Sequence, residues 1–261
     1  MKERSDKRER TKKIIKRTLL ILLLLLIAGS GYLVYYLYND SQSDHEYIDL
    51  LVTKQTSDNE KMESPVDFDA LMQTNDDIYA WIEVNGTNVN YPIVQSKAND
   101  EFYLKHSAVD KSWIASGAIY TESCNSKDFD DPITLIYGHN GYSDIMFTTL
   151  HNFESKDFFD SHEYFYIYLP GKKLTYQIVS AFKYDDRHIM NTFNFSLDED
   201  LAEFQATVMN PDSNLKNVRT DLETQIDKDS KIVVLSTCIT GQKSNRYLVC
   251  GVLVKTTETY S

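Results

Sequence analysis

The chain runs to 261 residues with a formal net charge of −12, enough for one sizeable core once about the first forty residues are set aside. The charge is lopsided: residues 1–17 hold nine Lys or Arg against three Asp or Glu, so the remainder carries −18. A main body that acidic argues against nucleic acid as a partner, because phosphate binding needs a basic face.

Residues 1–17 are polar and basic and run directly into an uncharged, leucine-rich stretch at 19–37. About twenty such residues at about 1.5 Å each cover the roughly 30 Å hydrocarbon layer of a bilayer. The basic flank predicts a cytoplasmic N-terminus, with Tyr35, Tyr36 and Tyr38 at the outer interface. A cleaved signal peptide is the rival, but its apolar core spans about 7–15 residues and ends in a small-x-small site. This run is longer and ends in tyrosines, which favours an uncleaved anchor. Residues 39–66 are polar and acidic and suit a tether, with a mixed stretch at 47–52 that allows a short helix.

Eighteen tyrosines and twelve phenylalanines lean the rest of the chain toward strands. Residues 68–72 allow one or two helical turns, broken by Asn75-Asp-Asp77. Residues 78–84 alternate imperfectly into Asn85-Gly86, a strong hairpin signal, with 88–94 as the partner strand. A helical turn is expected at 101–106, a short strand at 117–120, and an apolar strand at 132–137 that ends in Gly138 and His139. There the glycine is expected to free the backbone and the histidine to stand at the strand tip. A helical segment begins at 146–150, and 164–169 with 174–182 form a hairpin through Pro170-Gly171. Ser196 and Glu199 make a capping-box pattern for a helix with Leu197, Leu201, Phe204 and Val208 on one face, stopped by Asn210-Pro211. It lies in a connection of about fifty residues, and excursions of that length are usually functional, here as one wall of a groove. After residue 254 only a few polar residues are expected.

Lys231-Ile-Val-Val-Leu-Ser-Thr-Cys238 suits a strand buried on both faces that delivers a cysteine to its end. Gly241 marks a turn, and residues 246–254 complete a hairpin with Arg246 opposite or just beyond Cys238. A cation beside a thiol favours the thiolate, the attacking form. His139, Cys238 and Arg246 thus stand at strand ends or starts, a set sufficient for acyl transfer. The thiolate would attack a peptide carbonyl, and His139 would protonate the departing amine and later deprotonate the incoming one. Arg246 would hold the oxyanion or the substrate backbone. His45, His106, His151, His162 and His188 are read as surface or core residues. Among the three cysteines, Cys250 is read as core and Cys124 as an inert loop residue, with a disulfide between them left open. No Cys-x-x-Cys or His-x-x-x-His spacing occurs, so neither a metal nor another cofactor is expected.

Leu235-Ser-Thr-Cys238 resembles the Thr-Leu-x-Thr-Cys signature of sortases, and Arg246 follows at a spacing that family uses. Tyr137-Gly-His139 resembles its histidine motif, and Asp77-Ile-Tyr-Ala-Trp-Ile-x-Val84 through Tyr91-Pro-Ile-Val-Gln95 its first strands. The likeness covers roughly residues 67–254. An N-terminal anchor, together with a helix-bearing insertion before the cysteine strand, is most similar to class B. The chain departs by carrying Val234 where the signature usually has Thr, and by having no acidic residue at Ile239 or Thr240, where some class B members carry one.

The resemblance implies a mainly β fold: an eight-stranded sortase-type β-barrel with peripheral helices, preceded by a single N-terminal transmembrane helix. The corresponding division is a cytoplasmic tail at 1–17, the span at 18–38, an extracellular linker at 39–66 and a catalytic domain at 67–261. It implies a membrane-anchored cysteine transpeptidase that cuts a surface protein's C-terminal sorting motif after Thr and joins the new carboxyl end to an amine of a peptidoglycan precursor. Cys238 becomes the nucleophile, His139 the acid and base, and Arg246 the oxyanion or substrate stabiliser, with Ser236 and Thr237 lining the groove. The implied partners are the sorting-motif-bearing surface protein, the cell-wall amine and the cytoplasmic membrane. Two rivals stand beside this. One is a different envelope cysteine enzyme, such as a peptidase or an L,D-transpeptidase, whose Cys and His lie close in sequence, unlike His139 and Cys238. The other is an inactive, membrane-tethered binding domain.

Overall fold

A computed structural model describes residues 15–36, 38, 62–141 and 144–260, and divides the chain into two units, residues 1–45 and 46–261. In the first, α1 (Ile15–Tyr36) is an apolar helix of 22 residues, long enough to cross a bilayer, with none of its surface buried. The basic tail before it, and most of the expected tether with its possible helix at 47–52, lie outside the described residues.

Among the described residues the second unit has ten strands. β1 (Met62–Glu63) precedes a hairpin of β2 (Ile78–Val84) and β3 (Asn90–Val94). Its turn holds Gly86 at φ +76, the left-handed backbone that an Asn-Gly pair supplies. Then come β4 (Ile119–Tyr120), β5 (Ile133–Tyr137), β6 (Tyr164–Leu169), β7 (Lys172–Asp185), β8 (Lys216–Val218), β9 (Ile232–Ile239) and β10 (Gln242–Tyr260). Pairing runs β10-β9-β5-β4-β3-β2-β6-β7, and β7 pairs back onto β10, closing an eight-stranded barrel to which β1 and β8 attach outside the ring. Closure leaves these eight strands no free edge.

Side-chain alternation along β9 shows why its sequence is apolar throughout. Val233 and Leu235 face the barrel interior with Ile82, Phe165, Tyr176, Tyr247 and Val249. Ile232 and Val234 face outward, into a second core with Leu248, Cys250 and Val252 that is covered by Leu201, Phe204 and Val208 of α5 (Asp198–Met209). Both faces are therefore dry, and burying a side chain such as Phe204 there stabilises by about 1.5–3 kcal/mol. Between Cys250 and Gly251 the partner on β7 skips from Ser180 to Ile178, so the bulged residue is Val179 of β7, and beside that bend the Phe165 ring lies 2.3 Å from where a Cβ on Gly251 would sit.

Three local expectations are corrected. The Ser196–Glu199 capping box does not form: Leu197 is the N-cap residue and makes no side-chain cap bond. Instead Asp200 accepts from the Asn194 N–H at 2.6 Å and the Asn194 side chain accepts from Ser196 N–H at 3.2 Å, so the entry is locked one turn early and Leu197 is left exposed. Three acidic residues in the first turn of α5 complement its dipole. β10 continues to Tyr260, with Thr257 opposite Lys173 and Glu258 opposite Lys172. Its polar residues there mark a strand with little core to face, and β-branched Thr and opposite charges support the pairing. Ahead of residue 67, Met62 and Glu63 of β1 pair with Thr259 and Tyr260. Finally Gly138 does not have a left-handed backbone; its role is close packing, taken up below.

Candidate active site

Cys238 stands exposed one residue before the end of β9. Its partner across the β9–β10 ladder is Arg246. Directly opposed residues project to one face of a sheet, so thiol and guanidinium share the outer face of the barrel. The register then jumps from Arg246–Cys238 to Gln242–Ile239, leaving Lys243, Ser244 and Asn245 as a bulge on β10. Arg246 Nη1 donates to the Lys243 and Asn245 carbonyls, each at 3.1 Å. Among the described residues the guanidinium is held by backbone oxygens alone, with no carboxylate on it.

On the other flank of β9, β5 runs parallel, with Tyr137 beside Ser236 and Gly138 N–H donating to Ser236 O at 3.1 Å. His139 and Cys238 each stand two residues beyond that last pair, just past the paired part of β5. The histidine and the arginine therefore belong to the two strands that flank the cysteine's own. A Cβ at Gly138 would lie 2.6 Å from Ile119 Cδ1 and from the Phe147 ring, so only glycine lets the strand end lie this close to them.

The imidazole is oriented by one strong contact: His139 Nε2 is 2.7 Å from Leu104 O. A carbonyl only accepts, so Nε2 carries the hydrogen and Nδ1 is left for proton traffic with substrate. Leu104 ends a short 3-10 turn, and Gly117 at φ +58 packs so close that a Cβ would lie 2.5 Å from the same carbonyl oxygen.

Ser236 and Arg246 both line a cleft of about 100 Å³ with Tyr137, Tyr184 and His188. Thr237 lies one residue out of that alternation and is 2% exposed, its hydroxyl without a partner among the described residues. The pairing thus puts Cys238, Arg246 and Ser236 on one outer face, holds His139 on Leu104 O just past the end of β5, and leaves Thr237 buried. A cleft of about 820 Å³ between β7 and α5 includes Asn245 but not Cys238. Beneath the site Tyr120 stacks on Tyr137 at 5.3 Å. Burial, and then the charge of Glu122, push both phenols upward.

Burial, followed by Glu122 and Asp100, pushes Cys124 up to about 11, and burial pushes the sealed Cys250 up to about 12; neither is bonded to another cysteine.

Three residues near the site escaped the sequence. Asn140 Nδ2 donates to Cys238 O at 2.9 Å, and His151 Nε2 lies 3.0 Å from the same oxygen. His188 caps α4 (Ile189–Thr192) and pairs with Glu122 at 2.8 Å, tying the long excursion to the β4–β5 loop. The spacing of His151 and Glu154, three apart on one helical turn, was the available signal for the second of these.

A family model described as the sortase domain matches residues 82–254. Sortase B of Listeria monocytogenes is 27% identical over 186 residues, covering 70% of this chain and 72% of that protein. The crystal structure of Clostridium perfringens sortase B superimposes with a TM-score of 0.63 at 31% identity, covering 72% of this chain and 100% of that one. A Streptococcus pyogenes class B sortase involved in pilus biogenesis gives a TM-score of 0.59 at 30% identity, over 72% of this chain and 98% of its own.

Proposed function

Because the chain belongs to the sortase family, as a class B cysteine transpeptidase, we propose that Cys238, His139 and Arg246 carry its reaction. The observation that supports this most directly is the register: Arg246 opposes Cys238 on one neighbouring strand, and His139 stands just past the paired part of the other. In the proposed sequence His139 Nδ1 takes the proton of the Cys238 thiol, and the thiolate attacks the carbonyl carbon of a threonine in a surface protein's sorting motif. The tetrahedral oxyanion is held by the Arg246 guanidinium, whose charge no carboxylate offsets among the described residues. His139 passes a proton from Nδ1 to the departing amine as the C–N bond breaks, leaving a thioester on Cys238. An amine of a cell-wall precursor then attacks the thioester, gives its proton to Nδ1, and leaves with the new amide while the thiolate is regenerated.

In this proposal α1 serves as the anchor, with the basic residues before it in the cytoplasm and the barrel outside the cell. Ser236, on the cleft beside Arg246, contacts the bound motif. The test uses the full chain in detergent micelles with a library of sorting-motif peptides. A thioester adduct on Cys238 found by mass spectrometry, and product transfer to added hydroxylamine, are expected. Cleavage that survives Cys238→Ala, or hydrolysis with no transfer to any amine, would remove the proposal.

A further inference from the structure

The backbone carbonyl of Cys238 has lost its place in the sheet. Carbonyls two residues apart on a strand point the same way, and Ser236 O faces β5, where it accepts from Gly138 N–H. Cys238 O therefore faces the same flank, and a continued ladder would offer it the Asn140 N–H. The strand β5 ends at Tyr137, however, and the chain turns away: His139 O accepts from Phe147 N–H at 3.0 Å, and Asn140 bridges to Met146. Two side chains stand in for the missing strand. Asn140 Nδ2 divides its hydrogens between Cys238 O at 2.9 Å and Thr240 Oγ1 at 3.1 Å. His151 Nε2 lies 3.0 Å from Cys238 O and 3.1 Å from Asn140 Nδ2, and with Glu154 accepting from Nδ1–H the ring donates to that carbonyl in its imidazolium form, which carries a hydrogen on both nitrogens. The His151 ring is itself fixed from two sides, by Glu154 Oε1 at 2.6 Å from Nδ1 and by the Tyr247 ring stacked at 5.0 Å and 25°.

We propose that His151 is a positioning residue for acyl transfer: oriented by Glu154 and Tyr247, it clamps the Cys238 carbonyl and so sets the direction in which the thiol meets His139 and Arg246. The clamp acts at the residue that bears the nucleophile, two bonds from its Cα, with no contact to substrate. Because Asn140 also holds Thr240, the same device fixes the β9–β10 turn. The proposal rests on the acyl-transfer role of Cys238 given above.

The decisive comparison is His151→Phe, which keeps the stack on Tyr247 but has no donor, against His151→Gln, whose amide restores an N–H near the Nε2 position. With the best peptide from the library and the full chain, His151→Phe should lower kcat about tenfold or more with KM within about twofold, since small misplacements of a reacting group are costly in rate. His151→Gln should recover most of that loss. Wild-type kcat in His151→Phe, equal loss in both variants, or a change confined to KM would overturn the clamp. If His151→Phe does not fold, Glu154→Gln decides: a roughly threefold lower kcat at unchanged KM supports the clamp, and an unchanged kcat overturns it. Hydrogen exchange at Ile239 and Thr240 separates this proposal from the one it rests on. Exchange about tenfold faster in His151→Phe but not in His151→Gln upholds the clamp even if the wild-type chain turns over no peptide, and equal exchange in all three overturns it.

Discussion

Cys238 and Cys250 sit on adjacent strands of one hairpin and differ in almost everything that decides thiol chemistry. Cys250 lies mid-strand between Val234 on β9 and Ser180 on β7, fully buried beneath the α5 core, and its thiol is pushed up to about 12. Cys238 lies where the ladder breaks: a bulge supplies the arginine on one side, the end of β5 supplies the histidine on the other, and the sulfur is open to solvent. The hairpin is the same, so the contrast lies in position along it. A cysteine inside the paired region is packing, and one at the end of pairing is available for chemistry.

The largest expected effect breaks the contrast outright. Cys238→Ala should abolish turnover while the thermal midpoint stays near wild type, whereas Cys250→Ala should keep turnover within about twofold and lose about 1–2 kcal/mol of stability to the small cavity it leaves, measured by urea unfolding. Next, Arg246→Lys should cut kcat/KM about 100-fold, because a single ammonium cannot reproduce the two-point guanidinium fork. Near-normal rates would remove Arg246 from the chemistry. Gly138→Ala forces a methyl group against Ile119 and Phe147. It should cost about 1–3 kcal/mol and displace His139, so its loss of kcat should exceed what the unfolded fraction explains. Alkylation sharpens the comparison further. At pH 7.5 iodoacetamide should add once, at Cys238, and a second adduct, at Cys124, should grow in only as pH rises toward about 11.

The smallest effect lies far from either thiol. Lys97 and Lys111 hydrogen-bond Asp76 and lower its carboxyl from 3.8 to about 2. Since the folded value lies below the unfolded one, whatever this group contributes is present above about pH 3.8 and is lost as pH falls toward about 2. Asp76→Asn should flatten that part of a thermal-midpoint profile only slightly, because the pair is exposed and screened.

How far each region was legible follows from the range of the interactions that form it. β9 was readable because two dry faces demand an unbroken apolar run, and the β2–β3 turn because Asn85-Gly86 fixes a backbone shape within two residues. Cys238, His139 and Arg246 could be named because strand ends expose what they carry. The capping at α5 was misread because Asn194 and Asp200 compete for the entry from outside the four-residue pattern. The last turns of β10 were missed because their support comes from β7, more than seventy residues away, and not from any local apolar period. Asn140 and His151 were silent for the same reason. Each matters only once β5 turns aside and leaves a carbonyl to be met.

One feature of β10 reaches beyond the site itself. Arg246 faces Cys238 across one ladder and Tyr184 across the other, and one residue past Tyr184 the strand β7 gives way to the excursion that carries α4 and α5. A single side-chain position thus joins Cys238 to the head of that excursion. A substitution there is placed to shift the Arg246 guanidinium relative to the thiol by fractions of an ångström without touching His139.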